Sequence, residues 1–270
     1  MTLLSKETLK VRRKWPFQKI HHALYPLYFP VSILLLWQLA GTLELVEEHV
    51  LPTPLKILST FWILLSTGDL HVHLLASGQR VLFGFLLGAI VAITLGVVTG
   101  FSKIAQQIID PSLQMLRTVP LLSLIPLFIL WFGVGEFGKV LMIALGAFFP
   151  VYVNIFLGIR LVDQKLYEVT GILQYSLKDK LTKLIFPSAI PNILLGLRLA
   201  MGTSWLVLVV GEMMGADAGI GYMIQDARAY SQTDIVFVGL ILFIVFGKLT
   251  DSIVGSIERR ALKWRDTYKG

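Results

Sequence analysis

Residues 81–102 read VLFGFLLGAIVAITLGVVTGFS, and no charged side chain occurs in that stretch. A helix that crosses a bilayer needs about 20 mostly apolar residues, so this stretch predicts a transmembrane helix. Three further runs are free of charge, at residues 23–43, 118–135 and 140–159. Two more are interrupted, 191–214 by Arg198 and 234–256 by Lys248 and Asp251. We therefore expect an all-α integral membrane protein with six spanning helices.

The composition supports this class of protein. The chain has 270 residues, of which 55% are hydrophobic and 15% are charged, whereas soluble domains average about 45–50% and about 25%. A soluble protein of this size could not hide so much apolar surface. The absence of cysteine excludes disulfides and thiolate metal sites.

The distribution of Lys and Arg predicts the orientation, because cytoplasmic segments are enriched in these residues. With the N-terminus inside, 18 of the 24 Lys and Arg residues fall in cytoplasmic segments, and Arg198 and Lys248 lie within spans. The four in external segments are Lys56, Arg80, Lys139 and Arg228. We expect both termini to be cytoplasmic and residues 44–77 to be external. Basic segments at 1–22 and 258–270 then flank a membrane domain at 23–257, and the net charge of +7 requires no nucleic acid partner.

Two local patterns have alternative structural interpretations. After the first span, Thr53 can cap a short helix at residues 55–66, which lies either on the outer membrane face or packed against the bundle. In the second span, glycines recur at four-residue spacing, which allows either close packing within the chain or a seam between two copies. These glycines are Gly84, Gly88, Gly96 and Gly100.

The segment between the fourth and fifth spans predicts a helical hairpin on the cytoplasmic side. Asp163 can cap a first helix with Leu166, Val169 and Leu173 on one face, and Ser176 with Asp179 forms a capping box for a second. Leu177, Leu181, Leu184 and Ile185 share one face of that second helix, and we expect Pro187 and Pro191 to end it. Such a hairpin either packs on itself or inserts into a partner's groove.

The sequence lacks the chemistry of an enzyme. GVGEFGKV at residues 133–140 approaches a phosphate-binding loop, but Val140 replaces the Ser or Thr that would hold magnesium, and no strand precedes it. Neither a zinc-binding His pair nor a nucleophile elbow is present. We therefore predict no catalytic, metal or cofactor site, and any use of ATP would require a separate subunit.

Polar groups and helix-kinking prolines within the spans are the candidates for a transport pathway. Arg198 either faces the pathway and attracts an anion or extends to the inner headgroups. Glu212 faces either an outer vestibule or a structural partner, and Lys248 is expected to pair with Asp251. The complete set of predicted pathway residues is Pro120, Ser123, Pro126, Arg198, Ser204 and Glu212.

Several ordered motifs together resemble one transporter family. They are LPTP (51–54), DPSLQMLR (110–117), IPLFILWFG (125–133), ALGAFFP (144–150), GLRLA (196–200), GIG (219–221) and DAR (226–228). From about residue 51 onward the chain resembles the permeases of binding-protein-dependent ABC importers. Within them it is most similar to the sulfonate, taurine, nitrate and bicarbonate group, and closest to aliphatic-sulfonate permeases.

The resemblance implies a six-helix type I importer permease fold in a bacterial cytoplasmic (inner) membrane. The partners that it implies are a second permease copy, a cytoplasmic ABC ATPase dimer, an external binding protein and a small anionic substrate. A taurine, nitrate or bicarbonate importer, or a secondary transporter, is the alternative.

The hairpin corresponds to the family's coupling loop, at residues 161–187, with Gln174 at a position where the family has glycine. The implied ATPase-docking residues are Glu168, Val169, Thr170, Leu173, Gln174, Tyr175 and Ser176.

Overall fold

The computed structural model describes residues 16–213 and 215–263. The predicted segments 1–22 and 258–270 lie largely outside this range, as does Met214. The described chain is a helical bundle. Its helices are α1 Pro16–Thr42, α2 Pro54–Thr67, α3 Asp69–Phe101, α4 Lys103–Arg117, α5 Ile125–Phe132, α6 Glu136–Arg160, α7 Gln164–Ile172, α8 Leu177–Asp179, α9 Phe186–Met213, α10 Ile220–Ala229 and α11 Thr233–Ala261.

Within the described residues, four helices are long and apolar enough to cross a membrane: Asp69–Phe101, Glu136–Arg160, Leu177–Met213 and Thr233–Ala261. The first predicted span lies in α1. The expected third span, 118–135, is not one helix, because the chain bends by 88° between α4 and the segment Leu121–Phe132. Pro120 has no N–H to donate and adopts an extended conformation there. The predicted count of six spanning helices is therefore not confirmed.

The central layer consists of α3, α6 and α9. Its most deeply buried side chains include Tyr152, Ile155 and Leu208, each about 1% exposed. Glycines of α3 lie against α6, and a Cβ built on Gly88 would be 2.2 Å from the carbonyl oxygen of Ala144. The glycine pattern therefore serves close packing between two helices of one chain.

The second span begins earlier than its apolar run suggests. Helix α3 starts at Asp69 rather than near residue 81, and its first turns bury Ser77 and Arg80. The hydroxyl of Thr53 caps α2 as predicted. Thr60 of α2 donates a hydrogen bond of 2.7 Å to Asp234 at the start of α11, so α2 packs against the bundle.

The helix that contains the fifth predicted span begins earlier than that span. Pro187 and Pro191 do not end a helix, because the chain is helical from Leu177 to Met213. A π-helical segment at Lys180–Ile185 precedes them, in which the N–H of Phe186 bonds to the carbonyl of Leu181. This shift to i→i+5 bonding lets the helix continue past residues that lack an N–H.

Candidate functional site

The hairpin is built from two capped helices, as predicted. The Asp163 carboxylate accepts a hydrogen bond of 2.9 Å from the N–H of Lys165 at the start of α7. The Ser176 hydroxyl accepts one of 3.2 Å from the N–H of Asp179 and donates one of 2.5 Å to its carboxylate. Because the second arm runs directly into α9, the hairpin is joined without a break to a membrane helix.

The turn of the hairpin keeps a glycine-type conformation although glutamine occupies it. Gln174 has a φ of 49°, in the left-handed region. The N–H of Tyr175 bonds to the carbonyl of Thr170, and that of Gln174 to Gly171, which is the Schellman pattern of a helix C-terminus. A left-handed turn is thus formed without glycine, at a conformational cost of about 1–2 kcal/mol.

The hairpin tip, defined as residues 168–177, presents apolar side chains away from the bundle. Val169 is 48% exposed and Leu173 is 56% exposed. Of the other predicted docking residues, Glu168, Gln174 and Ser176 are exposed, Tyr175 is half-buried, and Thr170 is buried within the chain. The two most exposed apolar residues of the tip, Ile172 at 82% and Leu177 at 81%, were not predicted as docking residues.

A cluster of four charges lies at the end of the bundle opposite the hairpin. Arg80 of α3 makes two hydrogen bonds to the Glu136 carboxylate, at 2.6 and 2.7 Å, and one of 2.6 Å to Glu212. Lys139 lies 3.3 Å from Glu136. Arg80, Lys139 and Glu212 are all buried. The sequence placed Arg80 and Lys139 in external segments, and in the structure both belong to this charge cluster.

Glu212 has a structural role in this arrangement. Its carboxylate also accepts hydrogen bonds from the Ser77 hydroxyl, at 2.8 and 2.9 Å, and from the N–H of Gly221, at 2.8 Å. A Cβ at Gly219, whose φ is 131°, would lie 2.3 Å from the same carboxyl group. The carboxylate thus joins α3, α9 and the start of α10, and it does not face an open vestibule.

The positive charge of Arg198 is compensated by two carboxylates of α11. It bonds to Asp251 at 2.6 and 3.1 Å and lies 3.4 Å from Glu258. Lys248 also reaches Asp251, at 3.5 Å, as predicted. With two carboxylates beside it, Arg198 has little net charge to offer a passing anion.

The remaining predicted pathway residues separate into three positions. Ser204 is fully buried and donates a hydrogen bond to the carbonyl of Ala200 within its own helix. Ser123 and Pro126 are exposed at the α4–α5 bend. Pro120 lines a cavity with a volume of about 600 Å³.

That cavity lies at the α4–α5 bend, against the middle of α6 and α9. Its α6 lining runs from Gly146 to Asn154, which is about 15–27 Å along a helix of about 36 Å. We call it the mid-depth cavity. Its lining residues are Arg117, Thr118, Val119, Pro120, Leu121, Gly146, Phe149, Pro150, Val153, Asn154, Leu199 and Thr203.

A proline in α6 shapes one wall of the mid-depth cavity. Pro150 has no N–H, so it cannot bond to the carbonyl of Gly146 one turn earlier. The Thr203 hydroxyl of α9 lies 2.9 Å from that carbonyl and also 2.9 Å from the carbonyl of Ala200 in its own helix, and it can donate to either. Asn154 Nδ2 donates to the carbonyl of Pro150 at 2.8 Å. Side chains of α6 and α9 thus lie beside the backbone carbonyls around Pro150.

Comparison with known proteins identifies the family. Residues 84–263 of this chain match the protein family described as binding-protein-dependent transport system inner membrane component. The chain belongs to this family. As a permease, it is similar over almost its whole length to the aliphatic sulfonates transport permease protein SsuC of Bacillus subtilis, with 52% identity over 99% of this chain and 97% of the relative.

Other relatives of the permease extend the comparison. The SsuC protein of Escherichia coli K12 is 40% identical over 90% of this chain and 92% of its own. The taurine transport system permease protein TauC of the same strain is 30% identical over 98% of each chain. An inward-facing structure of the MetNI methionine ABC transporter superposes with a TM-score of 0.59 at 16% identity, covering 70% of this chain and 94% of that one. This match shows that the permease has the type I importer fold.

Proposed function

We propose that this permease is the membrane subunit of an ATP-driven importer for aliphatic sulfonates. The observation that carries the proposal is the 52% identity to the Bacillus subtilis sulfonate permease over 99% of the chain. The Escherichia coli sulfonate permease is also more similar to this chain than the taurine permease, at 40% against 30% identity.

The complete importer would contain other subunits. A separate ATPase dimer would hydrolyse ATP, since the loop that resembles a phosphate site is the turn into α6, with Lys139 held beside Glu136. An external binding protein would deliver the anion, and a second permease copy would complete the pathway. Both termini would be cytoplasmic, and the membrane would be the bacterial cytoplasmic membrane.

The hairpin tip is the surface that we expect the ATPase to grip. Val169, Ile172 and Leu177 project apolar surface that this chain leaves uncovered, and a partner groove would remove that surface from water. The helix from Leu177 to Met213 spans 37 residues, or about 55 Å. A displacement of the tip can therefore pass along α9 to Glu212 and the charge cluster at the far end.

Substitution of Val169 or Ile172 by aspartate is expected to abolish co-purification with the ATPase while leaving the permease in the membrane. A carboxylate at either exposed position harms no packing within the chain, but it would be buried unpaired in the complex. The measurement is the ATPase-to-permease ratio after affinity purification. Leu161→Asp is the matched control, because Leu161 is also exposed, at 72%, but lies outside the tip. Wild-type ratios for both tip variants would contradict docking at this surface.

The proposed orientation is tested with single cysteines, because the native chain has none. Cysteine at exposed Ser66 in α2 should react with a membrane-impermeant maleimide in intact cells, whereas cysteine at exposed Lys178 in the hairpin should react only after lysis. Labelling of the hairpin position in intact cells would reverse the orientation.

Growth provides the direct test of the proposed function. A bacterial strain lacking its own sulfonate permease would receive this permease with its ATPase and binding protein. We expect growth on an alkanesulfonate as sole sulfur source, and sulfate serves as the control. Growth on sulfate with none on any alkanesulfonate, although all three subunits are present, would contradict the proposal.

A further inference from the structure

Arg117, the last residue of α4, occupies an unusual position for a cation. It lines the mid-depth cavity, whose α6 wall is centred near the middle of that helix. A charged side chain at membrane depth is costly unless it is paired or serves a transported ion. The other two arginines considered above are paired, Arg80 with Glu136 and Glu212, and Arg198 with Asp251 and Glu258.

Arg117 differs from both, because it has no such partner in the part of the chain that the structure describes. Among the residues that the structure describes, no carboxylate lies within 4 Å of its guanidinium, and the cavity lining contains no acidic residue. The guanidinium therefore brings an uncompensated positive charge and up to five N–H donors to the cavity. Arg117 ends a family motif, and the charge distribution placed it in a cytoplasmic segment, whereas the structure places it beside the middle of α6.

The cavity wall adds a second donor and an apolar surface. Asn154 uses Nδ2 for one hydrogen bond to Pro150, and an amide nitrogen carries a second hydrogen that can be donated. The Thr203 hydroxyl lies 2.9 Å from the carbonyls of both Gly146 and Ala200, so its one hydrogen is used within the wall and Thr203 positions the wall. Phe149, Val153 and Leu199 supply apolar lining beside these polar groups.

We propose that the mid-depth cavity is a substrate contact site inside the permease, with Arg117 and Asn154 binding a sulfonate group and the apolar wall accommodating its alkyl chain. A sulfonate has three acceptor oxygens and one negative charge, which suits a guanidinium. This inference rests on the proposed function for the identity of the anion. The anion site itself is testable without it.

The first experiment measures the electrostatic field of the cavity. Val153→Cys places the chain's only thiol on the cavity wall. In the detergent-solubilised permease–ATPase complex, its reaction rates are compared for an anionic sulfonatoethyl and a cationic trimethylammonioethyl methanethiosulfonate. Adding Arg117→Gln should lower the anion-to-cation rate ratio about tenfold, whereas the matched charge loss Arg260→Gln, on the exposed end of α11, should leave it unchanged. A tenfold change in this rate ratio corresponds to a free-energy difference of about 1.4 kcal/mol.

The second experiment measures transport. In proteoliposomes with the ATPase and binding protein, Arg117→Gln should slow alkanesulfonate uptake at least tenfold, and Arg117→Lys should retain more uptake than Arg117→Gln. Arg260→Gln should transport normally. The ratio of ATPase to permease in each preparation verifies assembly.

The outcomes separate the two proposals. An unchanged rate ratio in Arg117→Gln, or a Val153→Cys thiol that neither reagent reaches, would overturn the anion site. Normal sulfonate uptake by Arg117→Gln would also overturn it. A lowered ratio in a permease whose wild type carries no alkanesulfonate would uphold the anion site and overturn the proposed substrate.

Discussion

Replacement of Arg80 by methionine is expected to destabilise the permease so strongly that little of it remains in the membrane. Methionine retains the apolar bulk but leaves the Glu212 carboxylate, which is about 1% exposed, without its cationic partner. Removal of one partner from a buried ion pair costs about 3–5 kcal/mol, a large share of the about 5–15 kcal/mol that stabilises a typical protein. The measurements are the membrane level of the variant and its thermal unfolding in detergent.

Two further substitutions test whether the unpaired Glu212 carboxylate, and not any change of charge, destabilises the Arg80→Met permease. Glu212→Gln should be milder than Arg80→Met, because Arg80 keeps both hydrogen bonds to Glu136 and no carboxylate is left unpaired. Arg198→Met should also be milder, since the Arg198 side chain is 40% exposed. An Arg80→Met permease that unfolds at the wild-type temperature would contradict the structural role of the charge cluster.

The second large effect is expected at Gly88, where α3 and α6 approach most closely. An alanine Cβ would lie 2.2 Å from the carbonyl oxygen of Ala144 and 2.9 Å from its carbonyl carbon, so the two helices would have to separate. Overpacking of this kind typically costs about 1–3 kcal/mol. Gly88→Ala should therefore lower the unfolding temperature, and Gly88→Leu should prevent accumulation of the permease.

The same helix contains a matched control for this prediction. Gly78 is exposed, and a Cβ there would have nothing within 4 Å. Gly78→Ala should be neutral or slightly stabilising, because alanine is favoured over glycine in a helix interior. If Gly88→Ala and Gly78→Ala unfold at the same temperature, the close approach of α3 and α6 does not constrain this position.

Local signals in the sequence predicted local structure well. The caps at Thr53, Asp163 and Ser176 involve residues two or three positions apart, so the sequence contains all that determines them. The same holds for the apolar face of α7 and for the small residues of α3. Hydropathy, however, locates only the apolar part of a helix, and it missed the first turns of α3, where Ser77 and Arg80 are buried.

Long-range pairing explains most of what the sequence did not reveal. Arg80 and Glu212 are 132 residues apart, and no pattern within either segment indicates that they meet. Arg198 and Asp251 likewise meet across 53 residues. For this reason Glu212 and Arg198 were candidates for the pathway, although the structure shows each beside an opposite charge.

The prolines were misread for a different physical reason. Pro187 and Pro191 predict a helix end in water, where freed carbonyls can bond to solvent. In α9 the π-helical segment before Pro187 changes the hydrogen-bonding register, which lets the helix continue. At Pro120 no such adjustment occurs, and the resulting bend creates the cavity that Arg117 lines.

The most direct test of the proposed function is uptake by a reconstituted importer. Proteoliposomes would contain the permease and its ATPase, with ATP on the ATPase side, the binding protein on the other side and a radiolabelled alkanesulfonate as substrate. We predict that the alkanesulfonate accumulates inside the liposomes, and that accumulation stops when ATP, the binding protein or the permease is omitted. A complex that hydrolyses ATP and accumulates nitrate or taurine, but no alkanesulfonate, would contradict the account.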